Sequence, residues 1–250
     1  MVVAAQPLLL VPPSEAKSPG GTRSRPNGLF DEILASDRAR VIATLFATLE
    51  GASLRRREIL LNAKGSLMER AMVATEELAD GTARLRPAWQ RYSGVVWTHL
   101  DPASLLPAAR KRLLIPSSVY GLTSAEDRIG DFRLKMNVGV GSLGTSASFW
   151  RPRLTTVLAS HVKTAPIVSL LPREHESAID LDALSKTRKI VKVAFSDEEG
   201  SATVGHDAKA VKGVLARALL VEGLDVLEGF QWNGWRAQNR DGVTHIVVQK

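Results

Sequence analysis

A four-residue apolar run, Leu8 to Val11, stops at Pro12 and Pro13 and is followed at once by Ser14, Glu15 and Lys17. A run this short and this aliphatic suits a buried β-strand. Proline cannot donate to a strand ladder, so the pair ends it. A chain that starts this way needs a covered sheet, with a polar turn leaving its first strand. In open α/β sheets, loops at the carboxyl ends of strands commonly form ligand sites. Ser14 and Lys17 would suit an anion, and Glu15 would suit a general base if desolvation raised its pKa. The competing reading is an ordinary solvated turn.

The rest of the pattern alternates helical and extended segments. Ile33, Leu34, Val41, Ile42, Leu45, Phe46 and Leu49 recur at helical spacing and predict a helix over residues 30–49. Two shorter helices are expected near 56–61 and 67–78. A strand is expected over 92–97, a helix over 102–113 and a strand in "LLIPSS". Residues 119–144 are Gly-rich and read as a long irregular loop, which in a compact domain is usually functional or mobile. A helix is expected over 149–162, strands in "APIVSLLP" and "KIVKVAF", and a hairpin at the end turning at Asn239–Gly242. Ala208 to Gly223 is the clearest helix, with Gly223 as its natural C-cap. No repeat or clean linker interrupts the chain. The expected architecture is one mixed α/β domain over residues 1–250, a mostly buried sheet with helices around it and a flexible extension at 1–7.

Composition narrows the chemistry. The 250 residues contain no cysteine, which removes disulfides, thiolate metal sites and a cysteine nucleophile. The formal net charge is +7, and it is uneven. Residues 1–150 carry 19 basic and 14 acidic groups (+5), and residues 151–250 carry 14 and 12 (+2). Such a surplus favours phosphates, nucleic acid or acidic surfaces as partners. The N-terminus lacks the basic region of a signal peptide, and no stretch approaches the ~20 apolar residues of a membrane span. The expectation is a cytoplasmic protein without a membrane partner.

Several segments, in this order, resemble the YaaA family of bacterial peroxide-stress proteins. "LLLVPPSEAK" is similar to the opening of the branch whose turn reads Pro-Pro-Ser-Glu-x-Lys. "YSGVVWTHLD" resembles the next signature. "IPSSVYGLTSAEDRIGDFRLKM" resembles the central motif through Tyr120, Gly121, Asp127, Arg133, Leu134 and Met136. "FWRPRL", "GHDAKAVKGVLARALL" and "GFQWNGWR" match later ones, so the likeness spans Leu8 to Trp235. The chain departs from the pattern at Ser124 and Ala125, where an Arg-Pro pair is usual, at His175, where an aromatic is usual, and at Asp207. The resemblance implies a cantaloupe fold with a basic cleft, a role in peroxide stress and iron restraint, and DNA binding through a helix-hairpin-helix-like element. Relatives in nucleobase-modifying pathways imply an enzymatic branch as well.

Two partner readings follow. In the first, the cleft binds DNA or nucleotide phosphates, with Lys17, Arg133, Lys209 and Lys212 supplying charge. In the second, it holds a nucleobase, nucleoside or similar small molecule. Lys209 or Glu15 then does acid–base or covalent work, and Ser14, Arg133 and Tyr120 position substrate. Lys209 and Lys212 lie three residues apart at the start of a helix, beside N–H groups that favour anions. Arg133 is open to pairing with Asp127 or Asp131, or to holding a phosphate bidentately. Ser117 and Tyr120 are candidates to line the same cleft, and His206 to join the anion site. Glu174, His175, Glu176, His206 and Asp207 have no metal-ligand spacing, so no metal or cofactor is expected. Gly139–Val140–Gly141 invites the hairpin reading, against a plain Gly-rich loop.

Overall fold

The computed structural model describes residues 6–24, 26–161, 165–197, 205–240 and 243–248. Its centre is an eight-stranded sheet. In chain order the strands are β1 (Leu8–Leu10), β2 (Leu113–Ser117), β3 (Gly121–Ser124), β4 (Ile167–Ser169), β5 (Ile190–Asp197), β6 (Gln231–Trp232), β7 (Trp235–Arg240) and β8 (Val243–Val248). Their spatial order is β3-β2-β1-β4-β5-β8-β7-β6. The five strands β2, β1, β4, β5 and β8 run parallel, and β3, β7 and β6 are joined on at the two edges by antiparallel pairing.

The first strand lies in the middle of that sheet, as its leucine run requires. Successive side chains of a strand face opposite sides. Leu9 and Val11 enter one apolar cluster and Leu10 the other. The first cluster is closed by α4 (Val95–Leu100) and α6 (His206–Val221), through Val96, Trp97, Leu100, Val211, Leu215 and Leu219. The second is closed by α5 (Ser146–His161), through Trp150, Leu154, Val157 and Leu158. The long α1 (Asp31–Glu50) contributes to both, and α2 (Leu54–Leu61) and α3 (Gly65–Ala79) follow it.

Local chemistry explains where the sequence expectations shift. The strand expected over 92–97 is a single bridge, Lys17 to Tyr92, followed by a helix that begins after Gly94. Val96 and Trp97 are buried by helix packing, which a short apolar run does not distinguish from a strand. The helix expected over 102–113 is broken by Pro107 into a 3-10 turn (Pro102–Ser104) and one α turn (Pro107–Arg110), before β2 begins at Leu113. The irregular segment contains β3 and a short strand, Arg128–Ile129, that pairs with Arg86–Pro87. At Gly121, φ is +70°, and a side chain there would run into the Trp150 ring. The α6 helix ends as expected, with Gly223 at φ +91° and its N–H bonded to the Leu219 carbonyl. The terminal hairpin pairs Arg240 with Val243, while its turn residues Asp241 and Gly242 lie outside the described residues. So does Val162, the last residue of the expected helix, and so does most of the extension expected at 1–7. Within the latter, Pro7 is buried and its carbonyl accepts from Arg112.

Candidate functional site

The carboxyl ends of β1, β2, β4 and β5 open on one side of the sheet, and the polar residues follow from that. Ser14, Glu15 and Lys17 leave β1, Ser118 leaves β2, Glu174 and His175 leave β4, and Lys209 and Lys212 lie on the helix that follows β5. After β1 the chain goes on to β2 on one side, whereas after β4 it goes on to β5 on the other. Loops that diverge at such a switch point leave a crevice between them. Ser14–Lys17 and Glu174–His175 stand on its two sides.

The proline turn is held rigidly. Trp97 Nε1 donates to the Pro12 carbonyl at 3.2 Å. The Ser93 N–H reaches the Ala16 carbonyl, and Arg70 donates to the Lys17 carbonyl at 2.8 Å. Arg91, fully buried, spreads its guanidinium over the carbonyls of Ser18, Gly20, Arg84 and Ile129. The reversal thus carries its own backbone partners and can present side chains without fraying.

Three adjoining recesses share this turn. The largest, about 580 Å³, runs between the turn and α6 and is walled by Trp97 and Phe195 beneath Lys209 and Lys212. A recess of about 450 Å³ lies on the other side, between Lys17, Arg70, Asp131 and Arg133. A narrow one of about 60 Å³ connects them past Ser118, Phe132, Arg133 and His175. Glu15 borders all three. The structure therefore brings Ser14, Glu15, Lys17, Arg133, Lys209 and Lys212 to one cleft, although up to 198 positions separate them in the chain.

The charges inside are poorly compensated. Arg133 donates to the Leu61 carbonyl at 2.8 Å, to the Asn62 carbonyl at 3.0 Å and to Glu15 Oε2 at 2.9 Å. It pairs with neither Asp127 nor Asp131. Asp131 is taken by Arg70, and Asp127 accepts the backbone N–H groups of Leu29 and Ser124. Lys135 stands 3.7 Å from the other Glu15 oxygen. Lys17 Nζ donates to the Ser14 carbonyl at 3.0 Å and sits 4.1 Å from the centre of the Phe132 ring. Burial lowers its pKa from 10.5 to about 7. Lys212 Nζ has no carboxylate partner among the described residues and rests 4.6 Å from the Phe195 ring centre. Burial, together with the neighbouring Lys209, lowers its pKa to about 8. His175 lies between the two amines with Nδ1 buried and without a partner among the described residues, and burial, then Lys212, lowers its pKa to about 4, so it is neutral near pH 7.

These shifts have a stability consequence. Below pH 7 both lysines are charged whether the chain is folded or not, and the folded state bears the full desolvation cost. Between pH 7 and 10.5 the folded Lys17 releases its proton while the unfolded one keeps it, so stability rises with pH; Lys212 adds to this above pH 8. Each group contributes at most about 1.4 kcal/mol per pH unit. The urea midpoint should climb between pH 7 and 9, and the climb should flatten in a Lys17→Met variant. An equal slope in wild type and variant would contradict the assignment.

Three candidates are placed elsewhere. Tyr120 is buried beside Phe132, and its hydroxyl accepts the Gly130 N–H at 2.8 Å. It borders a separate cavity beneath α1, not the cleft. Ser117 is fully buried and its hydroxyl accepts the N–H groups of Val119 and Tyr120, which caps the β2–β3 turn. His206 is exposed at the first turn of α6 and lines none of the three recesses. Conversely, the cleft includes His175, Lys135 and Ser118, and the aromatic walls Phe132, Trp97 and Phe195. The spacing gave no sign of His175 as a cleft residue; only its place beyond a strand end marks it. The helix-hairpin-helix reading lacks its first helix, because residues 130–140 are non-helical before the Gly141–Leu143 turn and α5. Among the described residues no group of three or more His, Cys, Asp or Glu is placed to hold a metal ion, and no helix is long and apolar enough to cross a membrane.

A family model described as peroxide stress protein YaaA matches residues 8–241. The chain belongs to this family. Members similar to it include a UPF0246 protein of Streptomyces coelicolor, 30% identical over 226 residues that cover 86% of this chain and 84% of the relative. A UPF0246 protein of Corynebacterium efficiens is 32% identical over 222 residues, covering 85% and 84%. One of Flavobacterium johnsoniae is 31% identical over 178 residues, covering 66% and 70%. The matched stretch of the YaaA model runs from β1 to the terminal hairpin, and so contains every residue of the cleft.

Proposed function

We propose that the cleft binds a small organic anion of nucleotide size, carrying a phosphate or carboxylate, within the peroxide-stress context that names the family. One observation carries this reading: Lys212 presents a desolvated ammonium, with no anionic partner among the described residues, to a recess of about 580 Å³. A buried charge without a partner is costly, and a ligand anion would repay it. The recess has the volume typical of small-molecule sites, and Trp97 and Phe195 offer flat apolar walls to a ring. Arg133 and Lys135 offer a second cationic pole on the far side of Glu15. Proteins that track a nucleic-acid strand use exposed cations along an open groove, which salt screens strongly. Here the perturbed amines are recessed. A nucleotide monophosphate or free nucleobase derivative therefore suits the site better than a duplex.

The test is calorimetric titration at low salt with inorganic pyrophosphate, AMP and a short DNA duplex, each alone and in competition. Pyrophosphate and AMP should bind at one site and compete with each other. Binding of the duplex alone, with an affinity that falls steeply with salt, would replace this reading with the DNA-binding one.

A further inference from the structure

We propose that Lys17 is a carbonyl-reactive amine, which forms an imine with a small aldehyde, ketone or oxo acid that also carries an anionic group. The inference rests on the small-anion reading of the cleft and names its substrate class.

The geometry is that of an amine kept available. Lys17 Nζ makes one hydrogen bond, to the Ser14 carbonyl, and no carboxylate lies within ion-pair distance among the described residues. The charged groups that reach it are Asp131 and Glu15, which favour the ammonium, and Arg133 and Arg91, which oppose it; burial outweighs them all. The rings of Phe132 and Tyr92 cover it on two sides, at 4.1 and 5.7 Å. It nevertheless borders both the narrow recess and the 450 Å³ one, so a reactant entering either can meet it. An ordinary lysine amine is almost wholly protonated at pH 7 and has no lone pair to offer; one brought to about 7 is half neutral. Around it stand groups for the rest of the molecule. Arg133 Nη1 makes no hydrogen bond among the described residues, and Lys135 lies on the same wall, so either could take the anionic group. His175, neutral and with Nδ1 unpartnered among the described residues, borders the same narrow recess and is placed to relay protons.

The step balances without an oxidant or a further reactant. The neutral Nζ attacks the carbonyl carbon, and the carbonyl oxygen takes a proton to give a carbinolamine. Nitrogen loses a proton, the hydroxyl leaves as water after taking one up, and the protonated carbon–nitrogen double bond that remains gives up its last N–H proton to become the neutral imine. One carbonyl compound and one amine give one imine and one water.

The experiment traps that bond. The whole protein is incubated at pH 7 with sodium cyanoborohydride and, separately, pyruvate, 2-oxoglutarate or glyceraldehyde 3-phosphate, then mapped by peptide mass spectrometry. Reduction should leave the corresponding alkyl group on Lys17 at least tenfold above any other lysine, with a rate that rises through pH 7. The oxo acids and the sugar phosphate distinguish a carboxylate-bearing from a phosphate-bearing partner. In Lys17→Arg, checked for wild-type thermal unfolding, the dominant adduct should vanish. Labelling spread over exposed lysines, or no adduct with any of the three, overturns the proposal. If Lys17→Arg fails to fold, the preference of the wild-type adduct for Lys17 should vanish when the protein is unfolded in urea, and a preference that survives unfolding overturns it. Pyrophosphate binding without an adduct sinks the imine and leaves the small-anion reading standing. An adduct at Lys17 without pyrophosphate binding does the reverse.

Discussion

Lys212→Met should stabilise the protein and sharply weaken its affinity for small anions. The methionine keeps most of the apolar stem that packs against Phe195 and removes the ammonium, which no carboxylate among the described residues compensates. Replacing a buried charge by an apolar group of similar volume is often neutral or stabilising. The lowered pKa of Lys212 sets the scale, since the folded state disfavours the charged amine at pH 7. A gain of about 1–3 kcal/mol in urea unfolding at pH 7 is expected, and it should shrink as pH approaches 10. If the ammonium is there to meet an anion, the same change should weaken pyrophosphate binding at least ~30-fold, from the ~2 kcal/mol lost when one member of a buried charge pair is removed. The two effects have opposite signs, which a purely structural lysine would not produce. A variant both less stable and equally good at binding would show that Lys212 serves packing alone.

How much of this was readable beforehand depends on the length scale of each signal. The β1 strand and α6 were legible because their signals are local: an aliphatic run closed by two prolines, and an apolar stripe closed by Gly223. The terminal hairpin was legible for the same reason. The 92–97 segment was not, because Tyr92, Val96 and Trp97 are apolar at spacings that suit either period, and packing against α6 decides. The order of motifs indicated that Lys17, Arg133 and Lys212 belong together, and the sheet supplies the physical cause by collecting four strand ends at one edge. Tyr120 and Ser117 misled because a polar group near a strand end looks alike whether it turns towards solvent or inward. Tyr120 turns inward to hold Gly130. His175 stands out in the sequence only as a departure from the family motif and a metal-ligand candidate, because its environment, an amine from α6 and another from the β1 turn, exists only in three dimensions.

Gly213→Ala should be the most destabilising small substitution near the cleft. Alanine is the better helix former, by roughly 1 kcal/mol over glycine in an exposed helix interior. Gly213 is fully enclosed instead, where α6 crosses α4. A methyl group there would land on the Val96 carbonyl oxygen, within 2.8 Å of His99 Cβ and 2.9 Å of the Leu100 nitrogen. Two of these are backbone atoms of a helix and cannot rotate aside, so the helices have to part. Overpacking of this kind costs about 1–3 kcal/mol or more, enough to outweigh the propensity gain. A loss of about 2–3 kcal/mol should lower Tm by roughly 5–10 °C in a chain of this size. Gly229→Ala, where nothing lies within 4 Å, is the control and should leave Tm within about a degree, since such surface changes stay near ±0.5 kcal/mol. The site should feel the change as well. Val96 and Trp97 wall the large recess on one side and Lys212, the neighbour of Gly213, on the other, so parting α4 from α6 widens the space in which the ammonium meets its anion. Weakened pyrophosphate binding in a Gly213→Ala variant that is still folded would therefore accompany the fall in Tm. An unchanged Tm would mean that the two helices are not in backbone contact, and the cleft between them would then have another shape.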